Sequence, residues 1–167
     1  MSRVAIVSSL AAVLVLTSAP AILAQDSDME YALQDAREWA SAMAFLESRG
    51  LDISRGVESR SGVWSLVIEE GEGPRASASN KVTAHATGWL ADGTQFWSSH
   101  DGDDTPMVNN VTGFVKGFTQ GLLTMQAGGT YMLVFPGRLG YGPGGNPGAG
   151  IPPNATLVFE VELISIE

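Results

Sequence analysis

Between residues 155 and 166, apolar and polar positions alternate with the period of two that a strand imposes. Leu157, Phe159, Val161 and Leu163 fall on one face, and Val158, Glu160, Glu162 and Ile164 on the other. The same alternation runs through residues 81–90, where Val82, Ala84 and Ala86 oppose Thr83, His85 and Thr87. Residues 62–70 and 130–135 are rich in β-branched and aromatic side chains and read as further strands. Asp92-Gly93 is a hairpin signal, so residues 95–98 return against 81–90. Residues 114–126 form the interior helix candidate, although Gly117 and Gly121 within it weaken helical propensity. The pattern predicts about five strands in an antiparallel sheet with one short helix, an α+β fold.

Helical periodicity is stronger before the sheet. Ser27 followed by Glu30 has capping-box spacing. Ala32, Ala36, Trp39, Met43 and Leu46 then recur at steps of four and three, and Gly50 supplies a stop. The spacing predicts an amphipathic helix over residues 28–49. Its stripe has two readings: packing against its own domain, or the seam of a homodimer through residues 28–49. Further upstream, Arg3, an apolar run from Val4 to Leu16 and a small-residue segment ending at Ala24 have the layout of a secretory signal peptide over residues 1–24. This predicts a periplasmic or secreted protein, with an uncleaved anchor as the alternative, and without cysteine there is no lipobox.

Composition narrows the chemistry. The net charge of −9 argues against nucleic acid and anionic membrane surfaces as partners. The absence of cysteine removes thiol nucleophiles and thiolate metal sites. His85 and His100 are the only histidines, and neither has a partner at zinc-site spacing, so no metal and no cofactor is expected. The acidic run at Asp101, Asp103 and Asp104 lacks the glutamate of an EF-hand loop, since Thr112 stands there. Gly142 to Gly150 lacks the Lys-Ser/Thr of a phosphate loop, and no nucleophile elbow is present. What remains is a Gly/Pro-rich loop carrying Tyr141 and Ile151 beside a buried strand, which reads as a lid over an apolar pocket.

The segments EGEGP (70–74), TGWLADGTQF (87–96), VKGFTQGL (115–122), LGYG (139–142) and GIPPNATLVFEVEL (150–163) are similar to those of the FKBP-type peptidyl-prolyl isomerases. The resemblance covers about 100 residues, the size of one typical domain. It implies an FKBP-like antiparallel sheet of five or six strands wrapped across one short helix, occupying residues 61–167. Residues 25–60 supply the N-terminal helix and connector.

Carried over position by position, the resemblance implies a pocket between helix and sheet. Phe96 would form a wall, and Phe114 and Val115 the helix start, with the Val115 N–H bonding a substrate carbonyl. Phe118 would be the floor, Tyr141 a hydroxyl donor to the substrate carbonyl, and Ile151 and Phe159 would complete the pocket. Several positions differ from the family's usual residues: Ala86 replaces a tyrosine, Trp97 an aspartate and Phe118 a tryptophan, and Asn109 aligns with a loop phenylalanine. The implied activity is isomerisation of X-Pro bonds in proline-containing polypeptide clients. The alternative is a chaperone or peptide-binding module on the same fold, with weak or no isomerase activity.

Overall fold

The computed structural model describes residues 19–167, with side-chain surroundings from Ser27 onward. Positions 1–18 of the expected leader lie outside the described residues. Among the described residues no helix is long and apolar enough to cross a membrane. The chain divides into two compact units, Met1–Leu33 and Gln34–Glu167. Helix α1 runs Ala19–Ser48, so Ala19–Leu33 is what is described of the first unit. It begins before the Ser27 capping box, because the preceding Ala, Ile, Leu and Gln residues are themselves compatible with a helix. It ends where expected: Gly50 N–H donates to Glu47 C=O and Leu51 N–H to Leu46 C=O, the paired bonds of a Schellman stop.

Seven strands follow: β1 Val57–Glu58, β2 Trp64–Glu69, β3 Lys81–Leu90, β4 Gln95–Ser98, β5 Met107–Asn110, β6 Gly129–Phe135 and β7 Leu157–Ile166. The second helix, α2, is Lys116–Leu122. All pairings are antiparallel, in the order β1-β2-β6-β7-β3-β4, with β5 also on β3. β4 and β5 share one edge of β3, opposite its C-terminal and N-terminal halves, and the loop between them is the acidic run. Two strands exceed the expected set, β1 and β5. Both are short and mostly exposed, so neither carries a hydrophobic pattern of its own.

The sheet is buried on both faces. On one, Ala84, Ala86, Leu133, Leu157, Phe159 and Leu163 pack with Phe118, Leu122 and Met125 from α2 and its C-terminal turn. On the other, Trp64, Leu66, Met132, Val134 and Val158 pack with Ala42 and Leu46, flanked by Trp39, Met43 and Phe45 of α1. This two-sided burial explains why β6 reads as a continuous apolar run instead of an alternating one. The predicted stripe is therefore the packing face only in its second half, since Ala32 and Ala36 are exposed.

Polar contacts fix the part of the helix from Gln34 onward. Arg49 forms an ion pair with Glu160 at 2.8 Å and lies 4.6 Å over the Trp89 ring. Gln34 Nε2 donates to Pro153 C=O at 3.3 Å, and the Glu38 carboxylate accepts from Thr156 N–H.

Candidate active site

Phe159 is the centre from which the site is built. Its ring stacks on Phe135 at 5.7 Å and meets Phe96 and Phe118 edge-on at 5.6 and 5.2 Å. Aromatic pairs favour these offset and edge geometries. Phe118 in turn leans on Phe114 at 4.8 Å. The cluster depends on Gly88, the register partner of Phe159 across β3 and β7. A Cβ there would lie 2.5 Å from Phe96 Cζ and 2.7 Å from Phe159 Cε1, so only glycine lets the two rings close over the strand.

Above this floor opens a cavity of about 400 Å³. Phe96 and Trp97 of β4 and Met107 of β5 form one wall. Phe114, Val115 and Phe118 form the second, and Tyr141, Asn146 and Ala149 of the long loop form the third. None of the lining side chains carries a charge at neutral pH, and Phe159 closes the base. Val115 has extended backbone and caps α2, so its N–H sits where a helix's first donors have no intrahelical acceptor. Tyr141 is 39 % exposed and stands at the mouth.

The loop is knit by its own backbone. Asn146 and Ile151 exchange both hydrogen bonds, at 2.8 and 2.9 Å, and Asn154 N–H donates to Gly142 C=O at 2.8 Å. Its composition suggested a flexible lid; its hydrogen bonding is that of a folded arm that holds Tyr141 at a fixed point.

Residues 73–164 match the family described as FKBP-type peptidyl-prolyl cis-trans isomerase. The chain is 35 % identical over 158 residues to the FKBP-type peptidyl-prolyl cis-trans isomerase FkpA of Escherichia coli (strain K12). That alignment covers 85 % of this chain and 57 % of the relative. The FK506-binding protein of Neisseria meningitidis serogroup A (strain Z2491) is 42 % identical over 106 residues, covering 61 % of this chain and 96 % of that one. The crystal structure of FkpA superposes with a TM-score of 0.67 at 31 % identity, covering 91 % of this chain and 70 % of that chain. The chain belongs to the FKBP-type isomerase family.

Seven of the eight residues singled out from sequence line this one FKBP-type cavity: Phe96, Trp97, Phe114, Val115, Phe118, Tyr141 and Phe159. Ile151 does not; it is 2 % exposed in the core and serves the loop through its backbone. Ala86 is likewise buried in the core, bonded through its C=O to Ser99 N–H, while Trp97 remains 38 % exposed at the mouth. Asn109 is on exposed β5, its side-chain oxygen accepting from Asn110 N–H. The third member of the β4–β5 wall is Met107, which sequence reasoning missed. The signal was Pro106, which cannot donate to a ladder and so marks where the loop ends and pairing with β3 resumes.

The structure also joins what the sequence separated. His85 and His100 stack at 4.3 Å with 16° between ring planes. The hairpin register explains it: Thr87 pairs with Ser98, and two steps outward along each strand lead to His85 and His100.

Proposed function

We propose that this chain catalyses cis–trans isomerisation of X-Pro peptide bonds in polypeptide clients. The observation that carries the reading is an apolar, aromatic cavity without any charged lining group, with one hydroxyl and one helix-start N–H at its edge. An X-Pro bond rotates over a barrier of about 18–20 kcal/mol and takes tens to hundreds of seconds unaided. The transition state is a twisted amide that has lost resonance and part of its dipole. An apolar enclosure therefore favours it over the planar ground state. Phe96, Phe118 and Phe159 supply the enclosure, Phe114 and Trp97 the rim, and the Val115 N–H and Tyr141 hydroxyl bond the flanking carbonyls. A thousandfold acceleration needs about 4 kcal/mol of differential stabilisation, within reach of shape and two hydrogen bonds. No nucleophile or proton shuttle is required.

Domain limits, location and assembly extend the same reading. An isomerase domain over residues 61–167, preceded by a helix and connector over 25–60, has support in the match over residues 73–164. The leader pattern over residues 1–24 supports export, hence assistance to folding of periplasmic or secreted proteins. A homodimer through residues 28–49 has support in the exposed apolar side chains Met29 and Leu33, and sedimentation of the full chain measures it directly. The test of the activity is refolding of a substrate protein limited by proline isomerisation. Micromolar protein is expected to speed the slow phase, and Phe159→Ala to abolish the effect. An unchanged proline phase beside suppressed aggregation would replace the isomerase reading with a chaperone module on the same fold.

A further inference from the structure

We propose that His85 and His100, with Asp104, form a binding site for a divalent transition-metal ion of the Zn²⁺, Ni²⁺ or Cu²⁺ class. The site lies on the face of β3 that looks away from the isomerase cavity, because His85 alternates with the core residues Ala84 and Ala86. One donor atom from each of the three side chains lies within 4.8 Å of the other two. A single ion bound through the two Nε2 atoms, with bonds of about 2.0–2.2 Å, needs those donors roughly 3.3–3.6 Å apart, an adjustment of about 1 Å within the present cluster, with Asp104 held behind His100 as its hydrogen-bond partner. His100 and Asp104 are exposed and on a loop, and they have the freedom to move that far.

Each imidazole has a hydrogen-bond partner on Nδ1, as metal-bound histidines usually do, and the stacked rings, 16° from parallel, must tilt toward each other for both Nε2 lone pairs to meet one ion. His85 Nδ1 is 2.9 Å from Ser99 Oγ, and that oxygen is fixed because it also accepts from Ala86 N–H. His100 Nδ1 is 2.6 Å from Asp104 Oδ1. With both Nδ1 atoms engaged, each ring can present Nε2 to an ion while its neighbour holds the tautomer and the ring plane. This is the arrangement in which a hydroxyl or carboxylate behind a histidine raises its basicity as a ligand. Asp104 holds its place with φ of 51°, an uncommon conformation for a non-glycine residue, which turns its carboxylate back onto His100. Glu162, the register partner of His85 on β7, adds negative charge to the same face.

Imidazole donors select the borderline transition metals over Ca²⁺ and Mg²⁺, which prefer all-oxygen sites. Bound there, an ion would clip the loop between Ser99 and Pro106 to β3. That loop joins Trp97 to Met107, both of which line the cavity wall, so occupancy would stiffen the wall from behind.

Calorimetric titration of the untagged full chain with ZnCl₂ tests the site, with NiCl₂, CaCl₂ and MgCl₂ in parallel. One Zn²⁺ per chain is expected, with Ni²⁺ also bound and the alkaline-earth ions not competing. His85→Gln and His100→Gln should each lower Zn²⁺ affinity by more than about a hundredfold, and Asp104→Asn by about tenfold, as loss of an orienting partner does. Circular dichroism of each variant establishes that it is folded, and the exposed His100 makes its variant the safer of the two histidine changes. Absence of Zn²⁺ binding to the parent chain overturns the proposal. So does binding that survives in the His85→Gln/His100→Gln double variant, or Ca²⁺ binding of equal strength, which would assign the ion to the acidic loop alone.

Discussion

Replacing Gly117 by alanine sets two effects of known size against each other. In an exposed helix the change gains about 1 kcal/mol of propensity. In α2 the new Cβ would lie 2.3 Å from both Cγ and Cδ2 of Phe135 and 2.7 Å from Cδ1. Carbon atoms rest at about 3.5–4.0 Å, so helix and sheet must part by more than about 1 Å, or the ring must turn. Phe135 is fully buried and stacked on Phe159, which leaves the ring nowhere to go. Overpacking of this kind costs about 1–3 kcal/mol, and a ring with no escape belongs at the upper end. The net expectation is a loss of about 2 kcal/mol, or roughly 6 °C in melting temperature for a domain of this size. The cavity should suffer as well, since Phe118 adjoins the substituted residue and Phe159 rests on the displaced ring. A shift of about 1 Å in such groups is expected to lower kcat/KM in the proline-limited refolding assay by tenfold or more. Thermal and urea unfolding of the full chain measure the first effect, and the refolding assay the second. A Gly117→Ala protein that melts higher than the parent, with unchanged activity, would refute both the tight helix–sheet contact and the role given to this floor.

Tyr141→Phe should leave the melting temperature unchanged, because the side chain is exposed, while kcat/KM falls about fivefold for the loss of one hydrogen bond of about 1 kcal/mol. Arg49→Ala removes a half-exposed ion pair to Glu160 and the stack over Trp89; together these are worth about 1 kcal/mol, read as a lower urea midpoint with activity retained. Asp92 is held below the usual carboxylate range chiefly by the Thr94 N–H, which it accepts at 2.9 Å. A carboxyl whose folded pKa is lowered stabilises fully above its unfolded pKa of about 3.9 and loses that contribution as pH falls through the folded value. Asp92→Ala should therefore be less stable than the parent at pH 7, and urea midpoints of the two should converge as pH falls below about 3.9.

How far the sequence could be read differs between elements for physical reasons. Strands with one buried face announce themselves by alternation, and β3 and β7 were legible to within two residues. β5 was not, because Val108, Asn109 and Asn110 are exposed and the strand exists only by pairing with the edge of β3. The glycines of α2 counted against a helix on propensity, yet Gly117 and Gly121 are what allow the helix to lie so close to Phe135 and Leu133. Propensity sees the helix alone, whereas the contact is tertiary. The cavity was legible through positions in shared motifs, six aromatic ones and Val115, which gave seven lining residues but also Ile151, whose motif position is a core position here. Met107 and the His85–His100 pair escaped because each depends on a register, and register becomes readable only once the hairpin partner is known.

The place of β7 has a kinetic consequence. β1, β2 and β6 form one ladder and β3, β4 and β5 another, and the two are joined only through β7, which hydrogen-bonds to β6 on one side and β3 on the other. Its pairing with β3 links residues as distant as Val82 and Ile166. Such non-local closure is slow, because the entropy of a long loop is lost before the contacts reward it. A chain growing from its amino terminus therefore cannot close the sheet until residues 157–166 emerge. Under the proposed export, that ordering leaves the sheet open until the end of the domain has been made. The strand that locks the fold is the last of the seven to arrive.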